Sequence, residues 1–289
     1  MTETQRTLTS PFVKSDADRL AAALLVRPSA VLVDETPIQG ESSPIADRAL
    51  EQHEIFVGRL RSLGVTATVL EPTAELPLSS CVDDLAVVFS DGAVLMRPSD
   101  LGRRREVAAC EAFLKEAKVP ILGRIEPPGL LDGGDVIITA NALFVGVPQD
   151  RRALSGVARP AHGNAYGRAQ LASFAALRGL KAVEVPVSST VRRLRSVVSL
   201  VASETVLYAP ALVDGAAFEK LQTIEVPSGE DYGAGVLSLG DRRVIANVRF
   251  RTVPPLLRKA KISVDAIDLW EFGKVGITPS SLALALKRA

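Results

Sequence analysis

The sequence predicts an α/β protein in which five similar modules close into a ring. A helical pattern that ends in a small or basic residue runs directly into a β-rich strand five times. The intervals are about 40 to 60 residues, the range of repeated supersecondary units. The five junctions lie at Gly64, Lys118, Gly179, Leu221 and Lys261.

Short apolar strand pairs lie between these junctions. In the clearest pair, Leu85–Phe89 turns at Asp91 and Gly92 into Ala93–Met96, and an Asp-Gly step between apolar runs favours a tight hairpin. Similar pairs are predicted over residues 136–145, 197–208 and 235–246. Each module therefore reads strand, strand, helix, strand. A closed ring of such modules leaves no long exposed sheet edge, which favours one continuous domain over residues 1–289 rather than two.

The predicted helices carry apolar residues at helical spacing, with charged residues between them. They span residues 45–63, 107–114 and 171–177. We interpret their apolar faces as packing surfaces and look for the functional site elsewhere.

The overall composition excludes several classes of function. The 289 residues are 47% hydrophobic and 23% charged, as in globular proteins, and the net charge of +1 gives no field that would attract nucleic acid or an anionic membrane. Aromatic residues make up 4%, too few for base-stacking platforms. The sequence contains no apolar run of about 18 residues, so we predict no membrane span. A polar N-terminal stretch and only two cysteines favour a cytoplasmic location.

The stretch from Leu130 to Gly146 is the centre of the candidate site. Gly133 and Gly134 lie between Asp132 and Asp135, and glycines allow a tight turn or a close approach of the backbone. A tight turn would bring the two carboxylates together. Acids and glycines are also the ordinary composition of a surface turn, and the local pattern leaves both interpretations open.

Further polar groups precede or end the predicted strands, where a ring would collect them. Asp83 and Asp84 precede one strand, the run Arg192–Arg195 precedes another, and Arg97 ends a hairpin. Carboxylates beside arginines suit a zwitterionic or guanidine-like ligand, because arginine binds carboxylates in a bidentate manner and paired acids bind cations. The alternative interpretation is that these charged residues form internal ion pairs or lie in solvent and bind no ligand.

Histidine is scarce, which limits the available chemistry. His53 lies inside a predicted helix, and His162 lies in the predicted loop 147–163. We interpret this loop as a solvent-exposed connection, with a lid over the site as the alternative. A Ser–His or Cys–His pair therefore has few places to form. Cys81 is the thiol near the acids. We expect it to be a buried, unreactive thiol rather than a nucleophile. The sequence contains no metal-ligand spacing and no nucleotide-binding loop, so we expect neither a metal nor another cofactor.

A series of short motifs occurs in order between Ser43 and the C terminus: Gln52-His53-Glu54, Val82–Val88, Arg97-Pro98 with Arg103-Arg104 and Glu106, Leu131–Val136, Phe144–Gly146, Val185–Val187, Leu194–Val198, and Glu271-Phe272 with Lys274. With these motifs the chain resembles the dimethylarginine dimethylaminohydrolase and amidinotransferase family, the guanidine-modifying penteins. The resemblance implies a five-bladed α/β propeller, in agreement with the five modules.

The resemblance assigns roles to individual residues. Asp132 takes the position of the catalytic acid that heads the Asp/Glu-Gly-Gly-Asp motif. Asp83 and Asp84 match the acid pair that grips the guanidinium, and Arg97 matches the arginine that binds the α-carboxylate of the substrate. Asp135 and, across an insertion, His162 complete the expected binding residues.

Two catalytic positions depart from the family pattern. The catalytic histidine is replaced by Arg193, and the nucleophilic cysteine by Ser281, or by Ser280 or Pro279 if the alignment slips by one or two residues. The family reaction needs a thiolate and a histidine that transfers protons. A serine hydroxyl needs a base, and an arginine cannot act as one because it does not deprotonate in a protein.

These departures lead to two hypotheses. In the first, the chain is a non-hydrolysing or altered homologue that binds a small ligand, either arginine-like or another small carboxylate. In the second, it is an active hydrolase or amidinotransferase on a guanidine or amidine compound, with Ser281 and Asp132 in a modified mechanism. No feature of the sequence supports a third, purely structural role, and a homodimer is left open.

Overall fold

A computed structural model describes residues 8–73, 76–149 and 163–289, and His162 and most of the loop 147–163 lie outside these ranges. The described residues form five three-stranded sheets. The strands are β1 (Leu20–Val26), β2 (Thr66–Leu70), β3 (Ala86–Phe89), β4 (Gly92–Leu95), β5 (Ile121–Arg124), β6 (Val136–Ile138), β7 (Ala142–Pro148), β8 (Lys181–Val187), β9 (Val198–Ala202), β10 (Thr205–Tyr208), β11 (Gln222–Glu225), β12 (Leu237–Gly240), β13 (Arg243–Asn247), β14 (Ser263–Ile267) and β15 (Leu284–Arg288).

The helices connect the second and third strands of the sheets or flank them. They are α1 (Ala46–Ser62), α2 (Glu106–Glu116), α3 (Ala165–Ala176), α4 (Val253–Lys259) and α5 (Trp270–Gly273). Within the described residues, no helix is both long and apolar enough to cross a membrane.

Each sheet follows one rule of connection. Two strands pair antiparallel, as β3 pairs with β4, and the third returns parallel after a crossover, as β5 does after α2. A parallel neighbour requires such a crossover because the chain must return to the same end of the sheet. Between β10 and β11 the crossover contains only a short 3-10 turn, Gly215–Phe218. The predicted order of strand, strand, helix and strand is confirmed in four of the five described sheets, and the helix predicted before β11 is wrong.

The fifth sheet joins the two ends of the chain and closes the ring. β15 pairs antiparallel with β1, and β2 lies parallel to β1 on its other side, after α1. This sheet lacks a hairpin, so the turn signals that located the other four strand pairs could not reveal it. The five-module α/β ring expected from the sequence is confirmed.

The inner strands are buried on both faces. Every residue of β3, β4, β6 and β9 is buried, which explains why these segments read as continuous apolar runs. His53 of α1 is also buried, beside Phe56 and Leu60. Burial and the nearby Arg27 lower the pKa of His53 to about 4, so this histidine is a neutral part of the core.

Residues from all five sheets or their flanking segments surround a small cavity with a mixed polar and apolar lining. Its volume is about 30 Å³, which accommodates one or two water molecules. Its charged lining consists of Asp16, Asp83, Arg195 and Arg288. The candidate site lies directly beside this cavity.

Candidate active site

Three short 3-10 turns bring the polar residues together. They span Val82–Leu85, Gly133–Asp135 and Leu194–Ser196, and each precedes the first strand of a hairpin. Because equivalent positions of successive modules meet near the axis of a ring, the turns contact one another. The structure therefore brings together residues that are far apart in sequence. Asp84 and Arg193, which are 109 residues apart, form a hydrogen bond.

The two glycines of the central turn permit this close approach. A Cβ on Gly134 would lie 2.6 Å from an Asp84 carboxylate oxygen and 2.8 Å from Cδ of Arg193. A Cβ on Gly133 would lie 2.0 Å from the carbonyl oxygen of Asp83. The glycines are thus required for packing against charged groups, which an ordinary surface turn would not demand.

Asp84 lies between two arginines. Nε of Arg193 is 2.8 Å from both carboxylate oxygens of Asp84, and Nη2 is 2.6 Å from Oδ2. On the other side, Nη1 of Arg103 donates to Oδ2 of the same carboxylate. All three side chains are buried. Burial alone would raise the pKa of Asp84, but the two guanidinium groups lower it below its ordinary value, so the carboxylate is charged.

Arg103 is held by further contacts. Its Nε donates to Glu106 at 2.8 Å and its Nη2 to the carbonyl oxygen of Cys81 at 2.8 Å. Cys81 itself is fully buried, and burial raises the pKa of its thiol to about 12. A thiol that remains protonated in this way is a poor nucleophile.

Asp83 forms no hydrogen bond with these arginines. Its carboxyl group is buried beside the small cavity, and neither oxygen accepts a hydrogen bond from the described residues. Burial, and then the negative charge of Asp84, raise the pKa of Asp83 well above its ordinary value, which favours the protonated form. The pKa values of Asp83 and Asp84 therefore shift in opposite directions, and Asp84 is the acid that is hydrogen-bonded to Arg193 and Arg103.

Asp132 is the partly buried acid of the site. Its Oδ2 accepts a hydrogen bond from the Ser99 amide at 3.3 Å. Burial, followed by the charges of Asp84 and Asp135, raises its pKa to about 7, although Arg193 and Arg103 act in the opposite direction. A carboxyl group with this pKa can exchange a proton near neutral pH.

Asp135 supports the neighbouring turn. Its Oδ1 accepts a hydrogen bond from the backbone amide of Leu194 at 2.9 Å, and this contact fixes the turn that carries Arg193. The geometry assigns Asp135 a positioning contact, whereas the sequence suggested contact with a ligand.

Two arginines lie at the outer side of Asp132. Nη1 of Arg97 donates to the carbonyl oxygen of Gly129 at 3.0 Å, and Nε of Arg104 donates to that of Pro98 at 3.0 Å. Burial and the positive charge of Arg97 lower the pKa of Arg104. Sequence reasoning assigned a role to Arg97 but not to Arg104. The basic run Arg103–Arg105 gave a signal but could not show which member faces the site.

Ser281 is completely buried, and its described hydroxyl neighbour is Thr278 Oγ1 at 3.5 Å. Ser280 instead donates to the carbonyl oxygen of Arg195 at 2.9 Å, a structural contact, and Pro279 offers no nucleophile. Among the described residues, no carboxylate or imidazole bonds to the Ser281 hydroxyl.

Tyr232 also lies near the site, and sequence reasoning missed it. Burial raises the pKa of Tyr232, while the nearby charges of Arg192 and Arg193 act in the opposite direction. Within the described residues, no cluster of His, Cys, Asp or Glu is arranged to hold a metal ion.

Five modules in a closed ring, with an acid and arginine cluster beside the small cavity, define a pentein-type α/β propeller. No family profile matches the chain. The chain is 25% identical to N(G),N(G)-dimethylarginine dimethylaminohydrolase of Pseudomonas aeruginosa over 257 residues, which cover 89% of this chain and 96% of that protein. It is 29% identical to the enzyme of the same name from Streptomyces coelicolor over 266 residues, covering 92% and 96%.

Solved structures show the same fold. A cysteine-to-serine mutant of the Pseudomonas aeruginosa enzyme complexed with citrulline has a TM-score of 0.80 at 24% identity, and the match covers 92% of this chain and 99% of the other. An amidinotransferase of Microseira wollei has a TM-score of 0.77 at 13% identity, covering 96% and 97%. Over most of its length the chain is similar to members of the dimethylarginine dimethylaminohydrolase and amidinotransferase family, and it has the pentein fold of these solved structures.

Proposed function

We propose that this protein is a non-hydrolysing member of the family that binds a small carboxylate ligand in the site bounded by Asp132, Arg193 and Arg97. The observation that carries the proposal is the buried ion pair between Arg193 and Asp84. By resemblance, Asp84 is the acid that grips a substrate guanidinium, and here a guanidinium of the chain itself is bonded to it at 2.6–2.8 Å.

The electrostatics of this pair oppose the usual substrate. A guanidinium ligand would have to displace Arg193 from Asp84 or remain beside its charge. Displacement would leave a buried arginine without its partner, which costs about 3–5 kcal/mol in buried ion pairs. The inner end of the site is therefore closed to the cation that the family reaction requires.

The reacting groups are also absent from their positions. The family reaction uses a thiolate to attack the guanidinium carbon and a histidine to move protons. Ser281 has a hydroxyl with no base bonded to it among the described residues, and Arg193 only donates hydrogen bonds. What remains is a carboxylate-binding arginine, Arg97, and a titratable acid, Asp132.

The test is an incubation of the purified protein with arginine, N-methylated arginines and agmatine, followed by measurement of ureido products. We expect no product, together with thermal stabilisation by small carboxylates. Arg97→Gln should abolish that stabilisation, whereas Arg61→Gln, at a remote position on α1, should not. Sustained product formation would refute the proposal.

A second candidate function has one supporting observation, the pKa of about 7 at Asp132. An acid with this pKa could transfer protons during a modified hydrolysis of a guanidine or amidine compound, with Ser281 as nucleophile. Turnover that is lost in both Asp132→Asn and Ser281→Ala would support this candidate over the first.

Two further features belong to the same proposal. We infer that residues 1–289 act as one domain, since β1 and β15 join the two ends of the chain in one sheet. A cytoplasmic location agrees with the two free, buried cysteines.

A further inference from the structure

The positive charges around Asp84 already outnumber the single negative charge of this carboxylate at the inner end of the site. The carboxylate of Asp84 already faces two guanidinium groups, Arg193 and Arg103, and Glu106 pairs with the second of them. The carboxyl group of the adjacent Asp83 is buried and accepts no hydrogen bond from the described residues, and its raised pKa disfavours the charged form. A ligand guanidinium would therefore be the third such group around a single charged acid.

The same region offers hydrogen-bond donors to a ligand. Nη1 of Arg193 is buried and makes no hydrogen bond within the described part of the chain. A guanidinium has donors and no acceptor, so only an oxygen or another acceptor can satisfy this group. Asp132, whose charge state responds to Arg193, adds an O–H donor whenever it is protonated.

The outer end of the site holds two neighbouring cations. Arg97 and Arg104 each use one nitrogen to bond a backbone carbonyl oxygen. Neither forms an ion pair with any of the described carboxylates at 4.0 Å or less. Like charges held side by side repel each other unless an anion lies between them, and guanidinium groups bind carboxylates with two parallel hydrogen bonds.

We propose that the ligand of this site carries a carboxylate at its outer end, bound by Arg97 together with Arg104, and a neutral or anionic oxygen-bearing group at its inner end. The ligand class is therefore a dicarboxylate or a carboxylate with a terminal amide or ureido group. A guanidino acid does not fit. This inference rests on the proposed ligand-binding function and assigns Arg104 a role in binding.

Three amino acids of equal length test the inner end: L-arginine, L-citrulline and L-2-aminopimelate. They share the same α-amino acid end and differ in the terminal group, which is cationic, neutral or anionic. In calorimetric titrations at pH 6, where Asp132 is mostly protonated, citrulline and aminopimelate should bind at least tenfold more tightly than arginine. Arg193→Gln should shrink this preference, because it removes the fixed charge.

The outer end is tested by Arg104→Gln, with Arg105→Gln as the matched control. Arg105 is the adjacent exposed arginine of the same turn. The first variant should weaken binding of citrulline and aminopimelate about tenfold, the loss typical of one charge-assisted contact. The control should bind as the parent protein does.

The outcomes separate the two proposals. Tightest binding of arginine would overturn the inference about the ligand class and leave ligand binding itself in place. Equal effects of Arg104→Gln and Arg105→Gln would overturn the role of Arg104. Absence of binding for all three amino acids would refute the proposed function and this inference with it.

Discussion

The guanidinium of Arg193 and the carboxylate of Asp84 form a buried, multiply bonded ion pair, with Nε 2.8 Å from both carboxylate oxygens. The pair joins turns that precede strands β3 and β9, and the amide of Gly134 on the intervening turn also donates to Asp84, at 3.3 Å. One carboxylate thus links three of the five modules. The same residue consequently contributes to the stability of the ring and to the closure of the site.

Replacement of Asp84 should destabilise the protein strongly. Asp84→Asn leaves Arg193 and Arg103 buried beside each other without their shared anion, and loss of one partner of a buried pair costs about 3–5 kcal/mol. Urea unfolding gives the free energy directly. Glu54→Gln, which weakens an exposed ion pair with Arg27, is the control and should cost about 1 kcal/mol or less. Equal losses would contradict the central role of Asp84.

Under the proposed function, a histidine at position 193 and a cysteine at position 281 should introduce chemistry. The double variant Arg193→His, Ser281→Cys removes one of the two guanidinium groups bonded to Asp84, leaves Arg103, and supplies both a proton carrier and a thiol. We expect slow but measurable ureido product from a methylated arginine. Ser281→Cys alone should stay inactive, because Arg193 still occupies Asp84. Activity in that single variant would show that Arg193 does not close the site.

The raised pKa of Asp132 has a defined consequence for stability. Because the folded-state pKa is about 7 and the ordinary value is 3.8, the folded protein binds this proton more tightly than the unfolded chain does. The contribution is complete below about pH 4 and is lost as the pH rises towards 7. Melting temperatures should therefore fall more steeply across this window for the parent than for Asp132→Asn. Asp83 and the other titrating groups are common to both proteins, so the difference isolates Asp132.

Gly134 should tolerate no side chain. In Gly134→Ala the new Cβ would meet Asp84 at 2.6 Å and Arg193 at 2.8 Å, and the buried pair would have to shift. We expect a loss of about 2–3 kcal/mol, the cost of overpacking a buried site. Gly58→Ala is the control, since its Cβ meets nothing within 4 Å and alanine favours the helix α1. It should leave stability unchanged or raise it by about 1 kcal/mol.

Much of the fold was predictable because its signals are local. Alternating apolar runs, Asp-Gly turns and helical spacing act over a few residues, and they located four hairpins and the helices α1, α2 and α3. The pairing of β15 with β1 was not predictable in this way. It joins segments more than 250 residues apart, and no turn between them marks the contact.

For the candidate site, too, some features follow from the sequence and others only from the tertiary structure. The sequence by itself placed acids and arginines at strand ends, and its resemblance to the family predicts Arg193 and Ser281 at the positions of histidine and cysteine. Only the tertiary structure decided that Arg193 bonds to Asp84, that burial raises the pKa of the neighbouring Asp83, and that Arg103 is buried while Arg104 is partly exposed. These outcomes depend on which charges meet after folding and on how far each is removed from water, and neither quantity is encoded in the local spacing of residues.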